Sequence, residues 1–336
     1  MLGAVSRLQR LAPVVGLFVL APFVGEFLLG NLTLAQFPIG TLLAPLYGGG
    51  AVLVREIARR RGGGWPMMAL LACAYALIEE GTLDQLLWNP AYAGVDSFHT
   101  STYVPMLGTS VELVQTVVAL HAVWSICIPI ALVETFVPGR RTTPWLGVTG
   151  LLTVSIVFVL GAAFVFWGNY AEYRFLAPAH QQVLIGTAVV GLVVAAFSVR
   201  SRTPTGDGGR APSPWILGTA ALVTTSAYWM ASGLSTAGWG EWIGVALWSL
   251  IVAVIVPMVL RWSRSPDWGS RHRFSLAAGA TLTYVWLAFP VVPAGGGSVV
   301  VDLMSNAVFG AAAVVVLLLA SRAAARSDRA LMAEQR

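Results

Sequence analysis

The chain reads as ten apolar runs separated by short polar or arginine-bearing breaks. The runs occupy 11–30, 38–58, 65–88, 110–137, 145–167, 182–199, 215–234, 241–262, 274–292 and 298–320. Each is near the length of about 20 residues that an α-helix needs to cross a hydrocarbon core of about 30 Å. The pattern predicts an all-α fold: a polytopic integral membrane helix bundle of about ten transmembrane helices, forming one domain over 1–336. The first run is too long for a signal-peptide core and lacks a small-x-small cleavage site, so it is read as a helix. The most polar connection, rich in Pro, Gly and Ser, spans 200–214, and a Gly295-Gly296-Gly297 turn precedes the last run.

The breaks alternate in charge. Arginines fill those after runs two, four, six and eight and both termini, while the other loops hold one, Arg174. The positive-inside rule then places both termini in the cytoplasm. Trp65, Trp88, Trp145, Trp167, Trp215 and Trp262 fall near run ends, where an interfacial belt is expected. Composition agrees: 57% of residues are hydrophobic and 10% charged, against about 25% charged in a soluble domain. All 20 basic residues are Arg, which excludes a lysine Schiff base. An Arg-only, Ala/Val/Gly-heavy composition suggests a GC-rich bacterial source and hence a bacterial cytoplasmic membrane. No Arg stripe spans a soluble domain, so nucleic acid is not an expected partner. Cys73 and Cys127 both fall inside apolar runs without a ligand spacing, and neither metal nor cofactor is expected.

The third run breaks the pattern. It carries Glu79, Glu80 and Asp84 within an otherwise apolar helix. Glu79 lies about 14 residues past Trp65, roughly 21 Å along the axis at 1.5 Å per residue. One charged side chain near the centre of a lone span costs at least about 2.5 to 3.5 kcal/mol. Three in six residues are expected to face a cavity or partners on other helices, or to share protons. Two carboxyls in a dry site repel, and desolvation disfavours the ionised form, which leaves a strong proton donor there. Hydrogen bonding to neighbouring helices is the alternative for this pair. Glu80, Asp84 and Trp88 share one helical face, and Glu79 shares another with Tyr75.

Other polar residues fall at comparable depth: Glu26 in the first run, Glu112 and Glu241 at the starts of the fourth and eighth, and Asp302 early in the tenth. Asp302, Ser305 and Asn306 form a polar face that is either a cap or a functional acid. His121 is mid-run on the fourth helix, sharing its face with Trp124 and Ser125. In the second run, Tyr47-Gly48-Gly49-Gly50 lets a helix or ligand approach the backbone. Arg55 and Glu56 sit in its last turns; Arg55 either snorkels or is held, and Glu56 either pairs with Arg59 or Arg60 or takes part in chemistry. Tyr75, Trp124, Trp229 and Trp286 lie away from run ends and are candidates to line a pocket that stabilises a cation through ring faces.

Taken together, YGGGAVLVREIARR, GWPMMALLACAYALIEEG and LHAVWSICIPIALVE resemble a family of actinobacterial multi-span proteins. Some of its members resemble the membrane-bound terpene cyclases of drimentine-type indole sesquiterpenoid pathways. The resemblance covers roughly the first 140 residues. It implies acid-initiated, metal-independent cyclisation of a farnesyl or other prenyl chain on an indole-type substrate, with a prenyltransferase upstream and a substrate that enters from the bilayer. Mapped by position, it implies donor and base among Glu56, Glu79 or Glu80 early and Asp302 late. Asp84, Trp88, Tyr75, His121, Trp124, Trp229 and Trp286 are the substrate-lining candidates. The DxDD run of soluble class II cyclases is missing, so that mechanism is carried by chemistry alone.

Two other classes stay open. In a proton-coupled transporter the acids would carry protons, and Pro129 and Pro257 would kink their helices. A CAAX-type intramembrane metalloprotease has a Glu pair and a later His, echoed by Glu79-Glu80 and His121. The Arg expected after the pair is absent, though, and His99, His180 and His272 fall in loops.

Overall fold

The computed structural model describes residues 7–92, 97–199, 209–234, 238–293 and 296–334. Most of the expected 200–214 connection, and Gly295 of the glycine turn, lie outside the described residues. The described chain is almost wholly helical. Its helices are α1 (Arg7–Pro22), α2 (Phe37–Arg61), α3 (Gly64–Ile78), α4 (Val111–Ala119), α5 (Ile128–Phe136), α6 (Val148–Tyr173), α7 (Ala179–Ser198), α8 (Pro214–Leu234), α9 (Trp239–Trp262), α10 (Ser270–Leu287) and α11 (Val299–Glu334). A π-helical stretch, Leu120–Cys127, joins α4 to α5, so the two form one rod and each expected run has its helix. The loop after α3 carries a two-stranded antiparallel hairpin, Tyr103–Val104 with Thr109–Ser110.

Eight of these rods are long and apolar enough to cross a membrane. The two that fall short are α8 and α10, and their composition gives the reason. α8 carries Thr219, Thr224, Thr225 and Ser226; α10 opens with Arg271, His272 and Arg273 and holds Thr281 and Thr283. These two helices pack on each other. A Cβ at Gly279 would strike the Gly218 carbonyl oxygen, and the Thr225 and Thr283 hydroxyls are 2.6 Å apart. Small residues with a few hydroxyls hold helices together where lipid offers no hydrophobic drive.

Burial sorts the rods into a centre and a rim. In α3 and in the α4–α5 rod, 67% of the apolar window is buried; in α6 and α9 the figure is 6%. α6 and α9 are apolar on every side and turn outward, as lipid-facing helices do. The three glycines of α2 each admit a different neighbour. Gly48 lies against the backbone of Phe18 on α1, Gly49 against Phe158 on α6, and Gly50 against the Tyr75 ring on α3. Successive residues point about 100° apart on a helix, so three small residues in a row open three sides at one level. The glycine run therefore admits helices, and α2 threads between α1, α3 and α6.

The arginine-rich end of α2 is fixed by a buried ion cluster. Arg55 is fully buried; its Nε meets Glu134 at 3.0 Å and its Nη1 meets Glu56 at 2.8 Å. Its Nη2 donates to the carbonyls of Arg140, Arg141 and Thr143, and the guanidinium lies over the Trp145 ring, 3.3 Å from its centroid. Arg59 adds a second contact to Glu134 at 2.6 Å. Glu56 accepts from the backbone N–H groups of Trp145 and Leu146 at 2.8 and 3.1 Å. Arg55 does not snorkel: its Nε, Nη1 and Nη2 all find acceptors inside the protein. Glu56, expected among the acids of the reaction, is instead committed to tying α2 to the segment that enters α6.

Candidate functional site

Three helices loosen at the same place. α1 ends in a π-helical turn, Phe23–Phe27, which contains Glu26. α3 ends in another, Glu79–Leu83, which contains both glutamates. The third, Leu120–Cys127, contains His121 and Ser125. Such turns insert a residue into the helical repeat, rotate the side chains beyond it, and concentrate at functional sites. Here they carry Glu26, Glu79, Glu80 and His121.

His121 is the hub. Its Nε2 lies 2.5 Å from Glu80 Oε1 and its Nδ1 lies 3.1 Å from Glu79 Oε2. The Ser125 hydroxyl is 3.3 Å from Nδ1. His121, Glu79 and Glu80 are 2%, 4% and 6% exposed, so no bulk water shares the contacts. The 2.5 Å contact to Glu80 is a hydrogen bond and requires a proton, on the nitrogen or on the oxygen. At least one proton therefore lies on the His121–Glu80 pair, and the Glu79 carboxyl stands beside it, its Oε2 and the Glu80 Oε2 without a hydrogen-bond partner among the described residues. Moving a proton between them changes no net charge inside the membrane.

Further groups extend the line. The Tyr47 hydroxyl donates to Glu26, which also accepts from Asn31 at 3.3 Å. The rings of Tyr47 and Tyr75 lie 5.8 and 6.2 Å from the His121 ring, and Tyr75 in turn lies 6.3 Å from Phe158. On the other side, the Asp84 carboxyl is within hydrogen-bonding reach of Glu80. Tyr92 stacks on Tyr173 at 5.0 Å toward the arginine-poor face. Burial, then the nearby Asp84 and Glu80, pushes the Tyr92 phenol well above its ordinary range.

The sequence pattern singles out the paired glutamates, Asp84, His121 and Tyr75, and the fold brings them together. It does not assign Tyr47, Ser125 or Glu26 to the site. A signal exists for Tyr47, which directly precedes the glycine run and so stands where α2 is most closely approached.

Other candidates lie elsewhere. Trp88 does not continue the Glu80–Asp84 face. The helix stops at Leu83, Gln85 takes a left-handed φ of 61°, and Trp88 folds back to donate to the Gly81 carbonyl at 2.8 Å. Trp124 turns away from His121, stacking on Tyr284 at 4.7 Å and donating to the Ala280 carbonyl at 2.9 Å. Trp229 joins that second aromatic cluster, 5.8 Å from Trp124. Trp286 is over a third exposed and donates to Ser226. Asp302 accepts from Asn306 at 3.1 Å, and Asn306 also donates to the Ala288 carbonyl at the end of α10. Asp302 is thus held by its own helix, through a residue that also ties α11 to the end of α10.

Among the described residues, no group of three or more His, Cys, Asp or Glu side chains is placed to hold a metal ion. The geometry at His121 gives the reason there: the ring stands between the two carboxylates, with one nitrogen facing each, so the three groups do not converge on a point.

A model described as an uncharacterized membrane protein family matches residues 16–225. The chain belongs to that family. The match covers the C-terminal part of α1, all of α2 to α7 and part of α8, and so contains every member of the His121 array and of the Arg55 cluster. Asp302 and, of the second aromatic cluster, Trp229 and Tyr284 lie beyond it. No curated protein and no solved structure matches the chain.

Proposed function

We propose that this membrane protein is an enzyme, a bilayer-embedded terpene cyclase of the bacterial cytoplasmic membrane. It starts cyclisation of a prenyl or farnesyl chain on an indole-type substrate by protonating it. The observation that carries the reading is the Glu79–His121–Glu80 line, a proton-holding array inside the membrane and walled by aromatic rings. Protonating an alkene takes one proton from a carboxyl and leaves a carbocation. Ring closure moves the charge along the chain, and loss of a proton to the array ends the reaction as an isomerisation. Such chemistry needs water kept out and ring faces for the moving cation, and Tyr47, Tyr75 and Phe158 supply those faces. The substrate class comes from the family resemblance, and a prenyltransferase reaction would supply it.

A second reading, proton-coupled transport, is favoured by one observation: the acids form a line from Asp84 through Glu80 and His121 to Glu79, with Glu26 and Tyr47 beside it. Intramembrane acids in series are the usual material of proton relays. The protease reading is set aside. Its chemistry needs a converging ligand set, and among the described residues no group of three or more His, Cys, Asp or Glu side chains is placed to hold a metal ion.

Membranes containing the protein, incubated with farnesylated and geranylated indoles, test the proposal. The expected result is a product of unchanged mass and shifted retention, abolished in Glu80→Gln and Glu79→Gln and kept in Glu56→Gln. No product across the panel from folded protein, or full turnover in the Glu79/Glu80 double variant, overturns it. Proton flux in liposomes is then the measurement for the second reading.

A further inference from the structure

A cleft separate from the His121 array opens between α4, α8 and α9, lined by Glu112, Gln115, Thr116, Tyr228, Val245 and Trp248. Glu112 lies in the first turn of α4 and Trp248 midway along α9, so the cleft enters the bundle from the arginine-poor face. Glu112 is half-buried, and among the described residues its carboxylate has neither a hydrogen-bond donor nor a cation. Its nearest charged neighbour is another acid, Glu241 at the start of α9. Glu241 is already satisfied, accepting from the Ser101 N–H and hydroxyl at 2.5 and 2.7 Å.

The rest of the lining has the same bias toward accepting. Gln115 commits its amide nitrogen to the Ser249 hydroxyl at 2.9 Å and the Val245 carbonyl, which leaves its own carbonyl oxygen as an acceptor. The Tyr228 hydroxyl donates away, to Thr116, at 3.3 Å. The Tyr228 and Trp248 rings lie 6.0 Å apart at 56°, and an aromatic face attracts a cation. A carboxylate in a partly desolvated place is costly unless a cation meets it.

We propose that this cleft binds the head of an alkylammonium amphiphile, a primary ammonium on an apolar chain. Donor count selects the head. The cleft is narrow and open on one side, with room inside for about one water-sized group, about 10 Å³, and a trimethylammonium brings no N–H donor to it. Three N–H donors match the Glu112 carboxylate, the Gln115 oxygen and an aromatic face. The tail has a place as well: α9 presents Ile243, Leu247 and Leu250 outward, each exposed, as lipid-facing residues are. This site does not depend on the chemistry at His121.

The test uses the whole protein in nanodiscs of phosphatidylcholine and phosphatidylglycerol, which carry no primary amine. Dodecylammonium, dodecyltrimethylammonium and dodecanol are titrated by calorimetry. Saturable binding of dodecylammonium, tighter than either control, is expected, with a loss of about tenfold or more in Glu112→Gln and a smaller loss in Trp248→Leu. Equal binding of dodecanol, or an unchanged affinity in Glu112→Gln, overturns the proposal. Should Glu112→Gln fail to fold, Gln115→Leu replaces it, and an unchanged affinity there refutes the site. Replacing half of the phosphatidylcholine with phosphatidylethanolamine identifies the source of the ammonium. Competition with dodecylammonium assigns the site to a lipid headgroup, and its absence assigns it to a free amphiphile.

Discussion

Replacing Arg55 with methionine keeps much of the side-chain length and removes the charge that holds the arginine-rich end of the bundle together. The guanidinium makes one contact to Glu134 at 3.0 Å, one to Glu56 at 2.8 Å and three to backbone carbonyls. It is fully buried, so solvent does not screen these contacts. Breaking a buried ion pair by removing one partner costs about 3 to 5 kcal/mol. The lower end of that range applies, since each abandoned carboxylate keeps other donors. Glu134 retains Arg59 at 2.6 Å, and Glu56 retains the Trp145 and Leu146 N–H groups. At about 2 °C per kcal/mol for a chain of this size, the expected fall in Tm is about 6 °C. Thermal unfolding of purified protein followed by tryptophan fluorescence measures it. Arg60→Met is the control: its pair with Glu56 is longer, at 3.6 Å, and its side chain is 30% exposed. Partly exposed pairs contribute about 0 to 1 kcal/mol, so a shift of less than about 2 °C is expected. An Arg55→Met protein as stable as the parent, or one no less stable than Arg60→Met, would refute the claim that the cluster is a structural clamp.

The packing sets three further outcomes. Gly48→Val forces a branched side chain into the Phe18 backbone; overpacking of this kind costs about 1 to 3 kcal/mol, and loss of folded protein in detergent gel filtration checks it, with Gly16→Ala, which meets nothing, as the neutral control. Gly25→Ala places a methyl 2.7 Å from the Ser125 hydroxyl and 3.1 Å from the Tyr47 ring; the protein is expected to fold but to lose most of the cyclisation proposed above, because the groups displaced are those that contact His121 and Glu26. Thr283→Val removes the 2.6 Å contact to Thr225 between α8 and α10; interhelical hydrogen bonds in membranes average about 0.6 kcal/mol, so a Tm loss above about 4 °C would show that the pair does more than join two helices.

The depth of each acid is legible in the sequence; its company is not. Glu79, Glu80 and Asp84 stand out because nothing else in an apolar run explains them, and His121 stands out as the mid-run imidazole. Their meeting cannot be read, because α3 and the α4–α5 rod are apolar on nearly every side and carry no stripe to say which face turns inward. Helical arithmetic fails in two places for a local reason. A four-residue spacing puts Trp88 on the Glu80–Asp84 face, but the helix does not survive to the left-handed Gln85. A regular helical repeat puts Trp124 with His121, and the π-helical stretch widens that repeat. Glu134 is not evident as a partner for Arg55 because 79 residues separate them. Only their contact shows that α2 and α5 meet at the arginine-rich end.

What the sequence determined alone is the one-dimensional part: helices, their order, their approximate ends, and how far along each rod a polar group lies. Apolar run length against bilayer thickness, and the places where arginine cannot go, are enough to set these. The tertiary structure decided rotation and pairing. It turned Glu79 and Glu80 toward the two nitrogens of His121, set Tyr47 on Glu26, drew Glu56 into the Arg55 clamp, and bonded Asp302 to Asn306. The physical reason is that lipid is as apolar as the helices it surrounds. Hydrophobicity therefore carries a helix into the bilayer but leaves its rotation free, and the fit of glycines, hydroxyls and buried charges between neighbours fixes it.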